Sequence, residues 1–554
     1  MQSGYRIAAL ECKWRITTDM HQVRKRTIDK WNLAILAGLL FAIIFKVYKI
    51  NSIPDGYHID ELGSVYDAWS LLHFGVDRWQ TSWPVHFQNF GSGQNALYTY
   101  MLVPLFGLFG LSKAVIRTPS LIGSFLFLFS GIGIISLAWP DRTENRTGEK
   151  IAILLYVLLY GISPYTQLSG RLGLESLLML GFSSVSVLFF LLAAEKRKTC
   201  LWILDGFLWG LTLYTYAISY IAVPVFLLFA GVILIRHRRV TFSQILLFAI
   251  PLAVLAFPLI LEQYINIFDK KPFSIGPFSL TRLKYYRSGD LTLSNIPNNL
   301  FLTLKSMLFY DDLDYNTIER YWTFFPISVP FFGIGLIWHI RMLIKRQNNG
   351  MEPSFVILLW FFVMLGIGCI LGTKDNQVGA SPNTNKINGI ILSTMFYIVL
   401  GLYVTFRDLN YVRIKKYAAM VVLLIYLGYG ASFIRYYVKY FQPKQYWYYL
   451  YPETVKLIEE NEVLSQKPVF TKEHSICYLV SSLHSPDEIA NGAGKNWKHL
   501  AWQDPEELVN EYGTGATYLF LDLPHELYES LLSMGFQVFE EGKHTTFYYL
   551  EAEN

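Results

Sequence analysis

The chain has 554 residues, of which 53% are hydrophobic and 16% aromatic, while only 16% are charged. This composition excludes an ordinary soluble protein and indicates a protein embedded in a membrane. The net charge of +5 is unevenly distributed, because residues 1–30 are rich in Lys and Arg and the last hundred residues contain no Arg. A basic start before a long apolar run predicts a cytoplasmic tail, residues 1–30, followed by an uncleaved membrane anchor.

Eleven apolar runs are long enough to cross the hydrocarbon layer of a bilayer, which is ~30 Å thick. They lie near 32–49, 114–138, 151–166, 173–194, 201–218, 220–236, 244–262, 323–342, 353–372, 387–406 and 417–437. A further run, 96–111, is short and contains Pro104, Gly107 and Gly110. Whether this run crosses the membrane decides the orientation of every span that follows it.

The basic clusters between the spans favour a topology in which 96–111 does not cross. In that topology the clusters 196–198, 236–239, 341–346 and 413–416 all lie on the same side as the basic N-terminus, as the positive-inside rule requires. If 96–111 crosses, all four clusters lie outside. We therefore predict that 96–111 is an interfacial or re-entrant helix, that the N-terminus is cytoplasmic and that the C-terminal region is extracytoplasmic.

The predicted fold is an α-helical polytopic membrane protein with about eleven transmembrane helices. The transmembrane module covers 31–440, with external loops at 50–113, 263–322 and 373–386, and the region 441–554 is predicted to be a small extracytoplasmic α/β domain. That domain shows helix signals near 504–513 and 524–535. Its strand-like runs are 468–471, 476–482, 517–523 and 545–551.

An adjacent acidic pair, Asp60 and Glu61, follows the first span. Neighbouring residues of a helix point about 100° apart, so one carboxylate would do the chemistry and the other would support it. A partly desolvated carboxylate can act as a general base. The alternative is structural, with Asp60 capping a helix that runs from Glu61 to Leu72.

Two arginines, Arg117 and Arg171, lie at the predicted external ends of the second and third spans. Guanidinium groups bind oxyanions through paired hydrogen bonds, so two of them at one membrane level suit a phosphate. The alternative is that each pairs with a carboxylate, Arg171 with Glu175 four residues later and Arg117 with one member of the acidic pair.

Lys374 and Lys386 lie in or beside the external loop 373–386, where the positive-inside rule disfavours lysine. They indicate an anionic partner, although a solvated loop explains them as well. Asn385 and Asn388 make the same segment polar just before an apolar run. Two weaker candidates for a substrate pocket are His58 and Tyr216, since aromatic residues at a membrane interface are usually anchors.

Four segments, taken in order, resemble the protein O-mannosyltransferase and aminoarabinose-transferase group of the glycosyltransferase C superfamily, most closely its bacterial members. They are 53–61, 93–100, 109–120 and 169–175, and the resemblance covers roughly residues 30–440. It implies a lipid-phosphate-linked sugar as donor, an active site at the outer membrane face and inversion at the anomeric carbon. It also implies that Asp60 is the base and that Glu61 supports it.

The leaving phosphate of such a reaction gains charge and needs cations, for which the predicted candidates are Arg117, Arg171, Lys374 and Lys386. Thr118 replaces the leucine of the family's Arg-Leu-Pro-Ser pattern, and Glu175 stands where many members have Asp. Gln94 and Asn95 replace a Pro-Pro pair that usually precedes the Leu-Tyr run. These departures indicate an altered pocket, for which the predicted lining residues are His58, Gln94, Tyr98, Glu175, Tyr216, Asn385 and Asn388.

The predicted function is therefore a membrane glycosyltransferase that moves a hexose or pentose from a polyprenyl-phosphate carrier, expected to be undecaprenyl, to a glycan, lipid or protein acceptor of the cell envelope. A divalent metal is compatible with the carboxylates, although no further ligand set is visible, and no feature indicates nucleic acid. The alternatives are a lipid or polysaccharide transporter, which predicts charged or broken helices at the bilayer midplane, and a non-catalytic scaffold of the same fold.

Overall fold

The structure is a computed structural model. It describes residues 29–89, 92–140, 146–283, 290–313, 315–346, 352–372, 381–407 and 413–441 of the membrane region. Of the region that follows, it describes residues 452, 455–456, 460, 469–471, 475–491, 497–499, 510, 517–521, 529, 532–533, 535, 537–541 and 545–549.

The membrane region is almost entirely helical. Its helices are α1 (Lys30–Val47), α2 (Ile59–Phe74), α3 (Ala96–Phe109), α4 (Lys113–Ala138), α5 (Arg146–Ile162), α6 (Pro164–Leu168), α7 (Glu175–Lys196), α8 (Thr199–Leu213), α9 (Ser219–Arg236), α10 (Phe242–Ile267), α11 (Ile296–Leu308), α12 (Ser328–Arg346), α13 (Phe355–Ile370), α14 (Ile391–Phe406) and α15 (Arg413–Lys439). Two antiparallel hairpins lie between them, β1 (His86–Asn89) with β2 (Ser92–Asn95), and β3 (Phe273–Ile275) with β4 (Phe278–Leu280).

Short polar side chains fix where several of these helices begin. Asp29 accepts from the N–H of Trp31 at the start of α1, and Ser112 accepts from Val115 at the start of α4. Thr241 and Gln244 form a reciprocal capping box at the start of α10. Each cap satisfies an N–H that the first turn of a helix leaves without a partner, so these polar residues mark the ends of the apolar runs.

A helix accompanies each of the eleven predicted apolar runs, and the protein is a multi-pass membrane protein. Among the described residues, eight helices are long and apolar enough to cross a membrane, or nine if the pair Arg146–Ile162 and Pro164–Arg171, bent by 66°, is one span. Three shorter apolar helices are Ala96–Phe109, Thr199–Leu213 and Phe355–Ile370. The count of eleven spans therefore stays a prediction.

Both ends of α3 lie beside the segment that follows α1. At its start, the side chain of Gln94 donates to the carbonyl of Asp60. Beyond its end, Arg117 of α4 donates to the carbonyls of Ile50 and Pro54. The helix has 14 residues, and whether 96–111 crosses the membrane stays a prediction.

Glycines bring the long helices into backbone contact. A Cβ added at Gly181 of α7 would lie 2.2 Å from the carbonyl oxygen of Gly123 on α4, and one added at Gly401 of α14 would lie 1.8 Å from that of Phe331 on α12. Small residues at such crossings allow the close packing that drives helix association in lipid, where there is no hydrophobic driving force between helices.

The described part of the C-terminal region contains five strands and two short helices. The strands are β5 (Val469–Thr471), β6 (Trp497–His499), β7 (Thr517–Leu521), β8 (Gln537–Glu541) and β9 (Thr545–Tyr549), and the helices are α16 (Ser475–Ser482) and α17 (Pro486–Ala490). The sheet order is β6-β5-β7-β9-β8, with β5 parallel to β6 and β7, and β9 antiparallel to β7 and β8. The predicted helices near 504–513 and 524–535 lie mostly outside the described residues.

The prediction of a strand at 476–482 is wrong, because Ser475–Ser482 is helical. A short apolar run fits either a buried strand or a helix by composition. Tertiary packing decides between them here. Ile476, Cys477 and Val480 share one helical face and are buried in a cluster with Leu62, Val65 and Tyr66 of α2.

Candidate functional site

The acidic pair lies in the first turn of α2, which places negative charge at the favourable end of the helix dipole. The cap is His58, whose Nδ1 accepts from the N–H of Asp60 (3.1 Å) while Glu61 accepts from the N–H of His58 (3.1 Å). The alternative in which Asp60 caps the helix is therefore wrong. Burial lowers the pKa of His58, although the charges of Asp60 and Glu61 oppose this shift.

The structure divides the two carboxylates into a buried one and an accessible one. Glu61 is fully buried, and its Oε1 accepts from Arg117 Nε (3.2 Å) and from the N–H of Gly173 (3.0 Å). It therefore joins α2 to α4 and to the segment before α7. The side chain of Asp60 is 41% exposed. Its Oδ1 accepts a long hydrogen bond from Asn89 Nδ2 (3.4 Å), so Asp60 is the solvent-accessible member of the pair.

The two arginines lie inside the protein. Arg117 is fully buried, and its terminal nitrogens donate to the carbonyls of Ile50 (2.9 Å), Pro54 (3.0 Å) and Gly56 (2.9 Å). The alternative pairing of Arg117 with the acidic pair is confirmed for Glu61. Arg117 therefore holds the chain between α1 and α2 in place.

Arg171 is 1% exposed and donates to the carbonyls of Phe45 and Ile53. Its guanidinium carbon lies 5.3 Å from the centre of the Tyr437 ring. The predicted role of Arg117 and Arg171 at a donor phosphate stays a prediction. Both guanidinium groups contact backbone carbonyls around the end of α1.

A cavity of about 400 Å³ lies where several helices end or begin, which is within the usual size range of ligand sites. Among the described residues it is lined by His86, Ser92, Gly93, Glu175, Tyr216, Ala217, Ile218, Tyr220, Ile221, Gln263, Ile267, Leu283, Asp290, Leu291, Leu371 and Lys386. Three predicted site residues, Glu175, Tyr216 and Lys386, are in this set. The cavity therefore combines charged groups with an aliphatic wall.

The β1–β2 hairpin separates this cavity from the acidic pair. Gln94 on one face of the hairpin donates to the carbonyl of Asp60 (3.3 Å) and to Ser64 Oγ (2.9 Å), and its Oε1 accepts from Asn89 (3.0 Å). Gly93, the preceding residue, faces the cavity. Asp60 itself is not among the lining residues that the structure describes. The acidic pair and the cavity are thus neighbours joined by one short hairpin and by the Glu61–Gly173 contact.

The other predicted pocket residues have structural partners. The hydroxyl of Tyr98 donates to the carbonyl of Ile116 (2.6 Å). Asn385 accepts from the hydroxyl of Ser176, and Asn388 donates to the Ser176 carbonyl (2.5 Å), so both fix the start of α7 beside Glu175. Neither these residues nor His58 and Gln94 appear in the described cavity lining. Lys374 lies outside the described residues.

Sequence reasoning missed three polar residues of this region. His86 lies on β1, Glu262 lies in the last turns of α10, and Asp290 follows the second hairpin. Glu262 is fully buried, and its carboxylate faces His86. The only sequence signal for Glu262 was a charge near the end of an apolar run, which is also typical of a helix end. Within the described part of the chain, no group of three or more His, Cys, Asp or Glu could hold a metal ion.

No family model matches the sequence, and no curated protein matches it. Several solved structures are similar to this chain. Residues covering 94% of the chain align with 97% of ArnT from Cupriavidus metallidurans bound to undecaprenyl phosphate, with a TM-score of 0.52 and 11% identity. The apo state of the same protein aligns over the same shares, with a TM-score of 0.50 and 10% identity.

The archaeal oligosaccharyltransferase AglB from Archaeoglobus fulgidus, solved with an inhibitory peptide and a dolichol-phosphate, aligns over 79% of this chain and 58% of its own length. The TM-score is 0.49 and the identity 13%. The two ArnT structures establish the fold, because they cover nearly the whole of both chains. The protein therefore has the fold seen in the ArnT structures.

Proposed function

We propose that the protein is a membrane glycosyltransferase that moves a sugar from a polyprenyl-phosphate-linked donor to a cell-envelope acceptor at the extracytoplasmic face, with inversion. The observation that carries this proposal is the cavity, which combines Glu175 and Lys386 with an aliphatic wall and lies next to the acidic pair. The glycosyltransferase C fold supports it.

The cavity suits a substrate that is polar at one end and aliphatic at the other. The aliphatic surface is supplied by Ile218, Ile221, Ile267 and Leu371, against which a prenyl chain can pack by van der Waals contact. Lys386 supplies the cation for the phosphate. ArnT, which has the same fold, was solved with undecaprenyl phosphate. Undecaprenyl is therefore the carrier that we propose.

In the reaction, a hydroxyl oxygen of the acceptor bonds to C1 of the sugar as the bond from C1 to the phosphate oxygen breaks. The electron pair of the broken bond stays on the phosphate, where Lys386 stabilises the added charge. Asp60 takes the hydroxyl proton, a role that typically contributes ~10²–10⁴ in rate. The accessibility of Asp60 and its hydrogen bond from Asn89 support this assignment.

Glu61 has a supporting role in this proposal, since it fixes the first turn of α2 through Arg117 and Gly173. For Arg117 and Arg171 we propose a structural role rather than phosphate binding, because their terminal nitrogens donate to backbone carbonyls. Lys374 stays a predicted phosphate ligand. Residues 441–554 are proposed to form an extracytoplasmic domain that docks on α2.

The test uses the purified full-length protein with a panel of undecaprenyl-phosphate-linked hexoses and pentoses, and it measures release of undecaprenyl phosphate. Asp60→Asn should lose at least 99% of turnover, following the ~10²–10⁴ contribution of a general base. Asp312→Asn, which removes an exposed carboxylate, is the matched control. Wild-type protein that consumes none of these lipids, or Asp60→Asn with full turnover, would contradict the proposal.

A further inference from the structure

A buried carboxylate–imidazole pair lies at the wall of the cavity. His86 is 5% exposed and lines the cavity from β1, and Glu262 is fully buried on α10. Glu262 Oε2 and His86 Nδ1 are 3.5 Å apart. Ionisable groups are rarely placed at this depth in a membrane protein without a function.

The contacts of Glu262 determine which of its atoms faces the imidazole. Oε1 accepts from both the N–H and the hydroxyl of Thr281, each at 3.0 Å. Oε2 and His86 Nδ1 lie within 3.5 Å of each other, and neither has a hydrogen-bond partner in the described part of the chain. An ionised carboxylate can only accept, so the ring nitrogen that faces it carries the proton. In the neutral ring this leaves Nε2 as a hydrogen-bond acceptor.

Gly93 and Tyr220 lie beside the ring of His86, which lines the cavity. An added Cβ at Gly93 would lie 3.3 Å from His86 Nε2 and Cδ2 and 2.8 Å from Leu283 Cδ1, so the absence of a side chain at Gly93 leaves a narrow space beside Nε2 that Leu283 borders. Tyr220 packs against the ring at a centroid distance of 6.1 Å and an angle of 89°. The hydroxyl of Tyr220 is itself engaged by Asn95 Nδ2 at 2.8 Å.

We propose that His86 Nε2 accepts a hydrogen bond from a hydroxyl of the sugar that is transferred, with Glu262 as the positioning residue that fixes the tautomer of His86. This inference rests on the proposed function, since it concerns the sugar part of the same donor. It assigns His86 to recognition of the substrate and leaves proton transfer to Asp60.

This contact distinguishes the donor, a sugar-linked lipid, from the product, undecaprenyl phosphate. A sugar hydroxyl can donate to Nε2, whereas the oxygens of an ionised phosphate cannot. His86 therefore contributes to binding of the sugar-linked lipid and not to binding of undecaprenyl phosphate. A site built around such an acceptor also discriminates against sugars that lack the hydroxyl, because its buried polar atom is then left without a partner.

The test compares binding of undecaprenyl-phosphate-linked hexoses and pentoses with binding of undecaprenyl phosphate alone. The main variant is His86→Phe combined with Glu262→Gln, which removes the imidazole without leaving a buried carboxylate unpaired. We expect its KM and Kd for the sugar-linked lipid to rise about tenfold. The Kd for undecaprenyl phosphate and the kcat should stay within about twofold of wild type.

Glu262→Gln alone gives a second measurement, because an amide can donate to Nδ1 and turn Nε2 into a donor. It should raise KM for the sugar-linked lipid while the protein stays folded. His73→Phe, at an exposed histidine of α2, is the control.

Equal weakening of sugar-linked and bare carrier would overturn the inference, since it would mean a structural or phosphate-binding role. Unchanged KM in the double variant would overturn it as well. Wild-type protein that binds none of the sugar-linked lipids would overturn the proposed function and this inference together.

Discussion

Replacement of Glu61 by alanine should destabilise the protein, whereas replacement of its neighbour Asp60 by asparagine should not. Glu61 is fully buried and accepts hydrogen bonds from Arg117, Gly173 and His58. The side chain of Asp60 is 41% exposed, and its one hydrogen bond from Asn89 is long, at 3.4 Å. Loss of the Glu61 carboxylate therefore removes several buried contacts, whereas loss of the Asp60 charge does not.

The expected magnitude follows from burial. Removal of one partner of a buried ion pair costs about 3–5 kcal/mol, because the remaining charge, here the fully buried guanidinium of Arg117, is left uncompensated. The loss of acceptors for two N–H groups acts in the same direction. Substitution at an exposed position such as Asp60 usually changes stability by less than about 0.5 kcal/mol. Glu61→Ala should thus lower the thermal unfolding midpoint clearly, and Asp60→Asn should not.

The assay is thermal unfolding of the detergent-purified variants, with turnover measured beside it. The control variant Glu61→Gln keeps a side-chain oxygen that can accept from Arg117 and Gly173, so it should lose less stability than Glu61→Ala. Glu61→Ala with a wild-type midpoint, or Asp60→Asn as unstable as Glu61→Ala, would refute this division of roles.

Three further outcomes are expected. Lys386→Met should raise KM for the sugar-linked lipid about tenfold in the same turnover assay, because it removes the cation from the cavity; an unchanged KM would place the phosphate elsewhere. Gly401→Val should lower the thermal midpoint, because its Cβ would lie 1.8 Å from Phe331 O, whereas Gly428→Val, with nothing within 4 Å, should not. Burial raises the pKa of Asp77 to about 7. The folded protein then binds this proton more tightly than the unfolded chain, so stability falls as pH rises from about 4 to about 7. Asp77→Asn should flatten the thermal midpoint measured across that range, and an unchanged pH dependence would contradict the assignment.

Much of the fold was predictable from the chain because lipid imposes a simple rule. A segment that crosses the bilayer must be apolar, long and helical. The helices accordingly coincide with the eleven apolar runs, and basic clusters together with length predicted that 96–111 does not cross. The prediction of a strand at 476–482 was wrong. A short apolar run outside the bilayer can form either a strand or a helix, and here the contacts with α2 favour the helix.

For the site, the sequence by itself predicted Asp60, Glu175 and Lys386 as site residues, and the last two line the cavity. Only the tertiary structure decided which charges are buried and which are accessible. Arg117 and Arg171 have the chemistry of phosphate ligands, but their donors reach carbonyls near the end of α1. His86 and Glu262 are 176 positions apart in the sequence and meet only because the β1–β2 hairpin packs against the end of α10. Local patterns carry no information about such a pairing, since burial and partner choice depend on parts of the chain that are distant in sequence.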